Sequence, residues 1–336
     1  MGDVATFAGV SKQTVSAVVN GKPEITRATR DRVLAAIETL GYRRDFIASS
    51  LRTGRTRTIA LIVSDTASPF IGTLAVAAED YARECGYSLV LHNTHDEVAR
   101  EAAYFINVVE RGIDGVAFIS ATDVCSGLDV LRANGIPTVA IDRVPHPYEG
   151  AAVTLDNHKA GCLAAEHLRR LGHTRVAHIS GPLTVSMSRE RLGGFREALG
   201  DTAELTVEEA ETWDYQAGYT AMQRLLAVHR PPLAVFAAAD TLAIGAMRAI
   251  CEVGLRVPED VSVIGVDDID SAAYQNPPLT TVRQSIHELA VLGLQLLLDI
   301  LNGKEVAQAK VIMEPVLIVR QSTMAPFPRE GGDPID

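Results

Sequence analysis

From Thr58 onward, short apolar runs alternate with helical stretches, and this pattern limits the fold of the 336-residue chain more than any other feature. The runs are TIALIV (58–63), YSLVLHN (87–93), GVAFIS (115–120), TVAID (138–142) and AVTLD (152–156), all rich in Val and Ile. Helical stretches fall between them near 70–85, 97–112, 123–134 and 157–171. Strands that are apolar throughout, each followed by a helix, predict a parallel sheet covered on both faces. The series then restarts: RVAHIS (175–180), a helix over 189–199, a strand near 205–211, a helix over 214–229, AVFAA (234–238), a helix over 240–253 and VSVIGV (261–266). Two successive runs of similar size predict two doubly wound α/β lobes. Ligands of such lobes sit at the carboxyl ends of the strands, in the crevice between them.

The first 57 residues follow different rules. Asp3 to Asn20, DVATFAGVSKQTVSAVVN, reads as two short helices broken at Gly9, packed through Ala5, Ala8, Val10, Val15 and Val18. Ser11 is placed to cap the second helix, and Gly21 suits its left-handed exit. Its outer face carries Ser11, Lys12, Gln13, Thr14 and Ser16, none acidic, which suits entry into a DNA major groove. An ordinary helical hairpin with a solvated face is the alternative. Thr26 opens a third helix through Leu40, with Val33, Leu34, Ile37 and Leu40 on one face and Gly41–Tyr42 as its stop. Arg43 to Arg57, RRDFIASSLRTGRTR, is a basic linker whose first half suits a helix too short to stand alone in water. A tether with solvated arginines is the alternative.

Charge supports the division. Residues 1–57 hold ten Lys+Arg against five Asp+Glu, a net of +5, so the remainder carries −16 of the overall −11. A basic head on an acidic body is expected when only the head meets a polyanion. The four cysteines (Cys85, Cys125, Cys162, Cys251) are far apart and indicate neither a zinc site nor a disulfide framework. No signal stretch or membrane-length apolar run stands out, so a cytoplasmic protein without a membrane partner is expected. G-x-G-x-x-G, G-x-S-x-G and H-E-x-x-H are all missing, so neither an enzyme nor a cofactor is expected. His92-x-x-His95-Asp96 has metal-like spacing, but its loop position after a strand favours a structural or solvated role.

The hairpin DVA…AGVSKQTVSAVVNG resembles the DNA-reading head of the lactose/galactose repressor (LacI/GalR) family. So do Thr29, Arg30, Val33 and Leu34 of the third helix, its Leu40-Gly41-Tyr42 end, and the A-S-S-L-R-T-G linker. Further motifs match the effector-binding core of that family: Asp65…Pro69-Phe70, Arg111…Asp114-Gly115, Leu155-Asp156-Asn157, Leu171-Gly172-His173, Gly181-Pro182, Arg191…Gly194-Phe195, Gly218-Tyr219 and Gly265-Val266-Asp267-Asp268. The resemblance spans residues 2 to 322. It implies a helix-turn-helix head (1–42), a hinge (43–57) and a core like that of periplasmic binding proteins. In that core, 58–155 with 284–313 would form one lobe and 156–283 with 314–322 the other. The tail, 323–336, is expected to be mobile.

The resemblance also implies roles for single residues. Lys12 and Gln13 match base-reading positions, since Gln can bridge adenine and Lys can donate to guanine. Ala17 matches a third such position and offers only a methyl contact. Ser11, Thr14, Ser16, Asn20 and Thr29 match phosphate-positioning groups. In the hinge, Leu51 matches a minor-groove wedge, Ala48 and Ser50 suit the hinge helix, and Ser49 stands where relatives often carry Arg. At the start, Met1-Gly2 replaces the usual Thr cap and apolar residue, so either the first helix is poorly capped or the reading frame begins upstream.

For the cleft, Phe70 and Trp213 match positions that place an apolar ring against a ligand. Asp142, Arg143, Arg191, Asp240 and Asp267 are at or beside polar contact positions, although Ala239-Asp240 replaces the usual Asn-Asp and loses an amide. Each has a plainer reading as well: Trp213 as core, Arg191 paired within its helix, Asp267 as a cap, Arg143 as solvated. Val185 and Met187 replace polar groups of the purine-responsive branch, so a sugar or sugar derivative is the expected effector and a purine the alternative. The expected partners are a near-palindromic operator and a second copy of the chain, paired through the core, with a tetramer left open. The expected function is a repressor whose operator affinity is set by the bound ligand. A solute-binding module without DNA function is the alternative from another class.

Overall fold

The computed structural model describes residues 1–19, 23–42, 54–227, 233–306 and 310–326. Two compact units divide at Thr56/Arg57.

In the first unit, α1 (Gly2–Ala8), α2 (Lys12–Val19) and α3 (Arg27–Thr39) surround a small core of Val4, Ala5, Ala8, Val15, Val18, Val33 and Ala36. Gly9 ends α1 at φ 62°, a left-handed turn that glycine adopts without penalty. Ser11 caps α2, its Oγ accepting from Thr14 N–H at 3.1 Å, and Thr26 caps α3 through Thr29 N–H. No side chain caps α1. The expected face of α3 is corrected: Leu34 and Leu40 are exposed while Val33 and Ala36 are buried. Leu34 lies about 100° around the helix from Val33, so the two cannot share so narrow a core.

The second unit holds two six-stranded sheets. The first runs β11-β5-β4-β3-β1-β2, from β1 (Thr58–Val63), β2 (Ser88–Asn93), β3 (Gly115–Phe118), β4 (Thr138–Ile141), β5 (Ala151–Leu155) and β11 (Lys310–Met313), all parallel. The second runs β12-β10-β9-β8-β6-β7, from β6 (Arg175–Ser180), β7 (Glu204–Glu209), β8 (Ala234–Ala237), β9 (Ser262–Asp267), β10 (Thr280–Arg283) and β12 (Val316–Ile318). Its edge strand β12 pairs antiparallel with β10, and neither strand is among the apolar runs read from the sequence.

The first sheet is flanked by α4 (Pro69–Glu84), α5 (Val98–Glu110), α6 (Leu128–Ala133) and α12 (Ile286–Leu301). The second carries α7 (Asn157–Leu171), α8 (Ser186–Leu199), α9 (Tyr215–Leu226) and α10 (Asp240–Glu252), with the short α11 (Asp270–Ala273) after β9. Thus α12 follows β10 in sequence but packs on β3, β4 and β5 of the other sheet, and the chain crosses again between β11 and β12. Its buried Leu289, Leu294, Leu297 and Leu298 explain that return.

Two further expectations are corrected. The helix predicted over 123–134 begins only at Leu128, after Gly127 at φ 97°, so 119–127 is a loop. The start of the tail is anchored: His173 Nε2 lies 2.9 Å from Met324 O, and Met324 N–H donates to Ser262 Oγ at 3.1 Å.

Candidate functional site

Residues that follow the carboxyl ends of strands in both sheets converge on one cavity of about 540 Å³. Asp65 follows β1, Thr122 follows β3, Asp142 and Arg143 follow β4, Pro182 follows β6, and Asp267 ends β9. This is where parallel sheets leave room for ligands. Phe70, Asp142, Arg143, Arg191, Trp213 and Asp267, all expected from the sequence, line the cavity together.

Local structure aims these groups. Asp142 (φ 62°) and Asp267 (φ 116°) leave their strands through positive φ, a conformation that costs a non-glycine residue about 1–3 kcal/mol and recurs at binding sites. Phe70 follows Pro69 in the first turn of α4. Trp213 lies over Gly181 so closely that a Cβ there would sit 2.2 Å from the ring, and only glycine leaves room for the indole. Arg191 projects from α8. That helix lies against α7 with almost no space: a Cβ at Gly194 would meet His158 O at 1.9 Å, and one at Gly161 would meet Arg191 O at 2.0 Å.

The polar groups are only partly satisfied within the protein. Arg191, 1% exposed, donates from Nε to Asn157 Oδ1 at 2.9 Å and from Nη1 to Ala238 O at 2.6 Å, and its Nη2 has no partner among the described residues. Arg143 Nη1 donates to Asp96 at 2.6 Å and to the carbonyls of Ala121 at 2.8 Å and Ser120 at 3.0 Å, leaving Nε unpartnered. Gln284, a residue the sequence reading passed over, donates to Asp267 Oδ1 at 2.8 Å and keeps its own Oε1 unpartnered. Its signal was its place just past the end of β10. Among the described residues no hydrogen bond reaches the Asp142 carboxylate. Buried polar groups are normally paired, so these open valences define a surface for a ligand rich in donors and acceptors.

Burial pushes the Asp142 carboxyl up, against the pull of Arg191 and Arg143. Burial also drives Asp267 up to about 7; Arg191 opposes the rise and Asp142 adds to it. Val185 and Met187 present apolar side chains to the same cavity.

Asp240 is the exception among the expected contacts. It is fully buried beneath the site, accepting from Thr281 Oγ1 at 2.6 Å and Ile269 N–H at 3.0 Å. A Cβ at Gly265 would fall 2.1 Å from its Oδ1. It therefore braces the β9–β10 ends from below and does not face the cavity.

The expected DNA-facing residues cluster on the first unit. Lys12 and Gln13 are exposed on α2, with Ser11 just before it, while Thr14, Ser16, Ala17 and Thr29 are half-buried. Ser11 and Thr14 share a hydroxyl contact at 2.9 Å. Asn20, Ala48, Ser49 and Leu51 lie outside the described residues. Among the described residues no helix is long and apolar enough to cross a membrane, and no group of three ligating side chains could hold a metal. His92 instead packs on Tyr104, with ring centroids 4.5 Å apart.

Comparison with known proteins agrees with both units. Residues 1–45 match the family model for bacterial regulatory proteins of the lacI family, and residues 165–323 match that of a periplasmic binding protein-like domain. The chain is 34% identical to the HTH-type transcriptional repressor PurR of Pasteurella multocida over 327 residues, covering 95% of this chain and 97% of that one. It is 33% identical over 327 residues to the ribose operon repressor of Escherichia coli K12, covering 96% and 99%. The crystal structure of the lac repressor dimer bound to operator and the anti-inducer ONPF superposes with a TM-score of 0.84 at 28% identity, covering 96% of this chain and 98% of that one. With a three-helix head, a two-sheet body and near full-length likeness to two such repressors, this chain belongs to the lacI family of bacterial regulatory proteins.

Proposed function

We propose that this protein is a DNA-binding transcriptional repressor whose hold on a near-palindromic operator is controlled by a sugar bound between its two lobes. The observation that carries the reading is the buried Arg191, with one guanidinium nitrogen unpartnered, in a cavity also lined by Asp142, Asp267, Phe70 and Trp213. A sugar matches that set: its hydroxyls donate to carboxylates and accept from guanidinium groups, and its C–H face lies on an aromatic ring. The apolar Val185 and Met187 fit a purine's polar edge poorly, and the chain is 33% identical to a ribose operon repressor.

In this reading the head is 1–42 and the hinge 43–57. One lobe is 58–155 with 284–313, and the other is 156–283 with 314–322. Two copies pair through their cores in the cytoplasm and set two heads on two half-sites. Lys12 and Gln13 read bases, Ala17 offers a methyl, and Ser11, Thr14, Ser16, Asn20 and Thr29 hold phosphates. Ala48, Ser49 and Leu51 belong to the minor-groove hinge. The sugar changes operator affinity by binding one lobe arrangement better than the other.

The test is fluorescence anisotropy of labelled operator candidates from the protein's own gene neighbourhood, titrated at several salt concentrations with and without D-ribose and a panel of other sugars. Tight, salt-steep binding to one duplex, weakened by one sugar, is expected. Equal preference for all duplexes, or indifference to every sugar and nucleoside tested, refutes the reading.

A further inference from the structure

Because α6 starts late, the loop 119–127 is free to reach the second sheet's helices, and Asp123 does so. Its Oδ1 accepts from the backbone N–H of Ser186, the first residue of α8, at 2.8 Å. Its Oδ2 takes Arg189 Nη2 at 2.6 Å, and Arg189 is braced by its own Nη1 bond to Leu183 O at 2.7 Å. A carboxylate from one lobe therefore caps a helix of the other and pairs with a cation one turn along it. Burial works against the ionised form of Asp123, but the bonds from Ser186 and Arg189 outweigh it and hold the carboxyl below its ordinary range.

The loop that carries Asp123 is itself clamped. Ala121 N–H donates to the buried Glu101 at 2.8 Å, and His146 N–H donates to Asp123 O at 2.6 Å. Arg143 Nη1 holds the carbonyls of Ser120 and Ala121. The same Arg143 lines the cavity with Nε unpartnered. One guanidinium thus serves both the binding surface and the loop that bridges the lobes. On the far side, Ser186 and Arg189 lie on the same helix as Arg191, within two turns of it.

We propose that Asp123 is a positioning residue for effector binding. It sets the spacing at which the lobes present Arg143 and Arg191 to one ligand, and Arg143 couples that bridge to the ligand. The inference rests on the sugar-binding reading for its consequence and on cross-lobe geometry for its cause. Asp123 itself is absent from the cavity lining, so its effect is on lobe spacing and not on direct contact.

Trp213 is the chain's only tryptophan and lines the cavity, so it reports on closure without any ligand. Acrylamide quenching of the full-length protein, with no sugar or DNA added, is compared for wild type, Asp123→Ala, Arg189→Ala and the double variant. Circular dichroism and melting curves check that each is folded. Both single variants are expected to raise the quenching constant, and the double variant to exceed neither, because the two substitutions remove one shared contact. In a second arm, D-ribose is titrated by Trp213 emission; loss of one charge-assisted bridge predicts a roughly tenfold weaker affinity for Asp123→Ala. If Asp123→Ala does not fold, Asp123→Asn removes the charge and keeps the cap geometry. Unchanged quenching in the folded single variants, or fully additive effects in the double variant, overturns the proposal. The first arm involves neither sugar nor operator, so its failure leaves the regulatory reading intact. Wild-type operator binding that ignores every sugar would sink that reading whatever the quenching shows.

Discussion

Replacing Arg191 by Lys isolates what a guanidinium does in the cleft that a bare positive charge cannot. The charge stays near Asp142 and Asp267, both of which feel Arg191. An ammonium is a compact point donor, however, and cannot occupy the three positions of the fork at once: Nε at Asn157, Nη1 at Ala238 O, and Nη2 unpartnered. If the Lys turns to the ligand, a buried acceptor on Asn157 or Ala238 is left unsatisfied, at a cost of about 1–3 kcal/mol in folding stability. If it stays with those acceptors, the ligand loses a charge-assisted bond of about 1.5–3 kcal/mol, a roughly 10- to 100-fold weaker affinity. One of the two losses must appear. The assay follows Trp213 emission during titration with D-ribose, or with whichever sugar releases wild type from its operator, alongside thermal melts of the sugar-free protein. Wild-type affinity together with a wild-type melting curve would refute the reasoning. A lowered melting temperature with unchanged affinity is the first of the two cases, in which the Lys has turned to the ligand and left Asn157 or Ala238 O unsatisfied.

Two further outcomes follow from the same geometry. Asp267 is pushed up to about 7 by burial, and a sugar hydroxyl donates best to its ionised form; sugar affinity should therefore rise as pH increases from 5.5 towards 8, and Asp267→Asn should flatten that rise. The stability effect has the opposite sign: a folded-state value above the ordinary 3.8 means this group's contribution is full below about 4 and is lost as pH rises through about 7, seen as the difference between wild-type and Asp267→Asn urea midpoints. Gly194→Ala places a methyl 1.9 Å from His158 O and must force α7 and α8 apart, so an overpacking cost of about 1–3 kcal/mol is expected, read as a lower melting temperature and weaker sugar binding through displaced Arg191. An unchanged melt would mean the two helices have slack.

The strand–helix alternation was legible because parallel strands buried on both faces must be apolar throughout, and the runs at 58–63, 115–120 and 234–238 contain little else. The position of the cleft was legible for a related reason: at the carboxyl ends of such strands side chains leave the packed sheet faces and turn into the crevice. Asp142 and Asp267 are found there, just past β4 and at the end of β9. Asp240 was misplaced because nothing adjacent to it decides its direction. Thr281, Ile269 and Gly265, all 25 or more residues away, hold its carboxylate beneath the site. Leu34 was misplaced because a helix shows which residues share a stripe, not how wide the partner surface is.

Local chemistry therefore determined the elements of this protein: where strands and helices run, where N-caps such as Ser11, Thr26 and Asp156 start a helix, and which polar groups sit at strand ends. Those choices depend on hydrogen bonds and burial periodicity within a few residues, and the chain writes them directly. Only the tertiary structure decided that Asp240 turns beneath the site, that Gln284 joins the cleft, and that Asp123 reaches across to Ser186 and Arg189. Each depends on which surfaces meet after long loops have closed, and that pairing is a property of packed volumes that no short stretch of sequence contains.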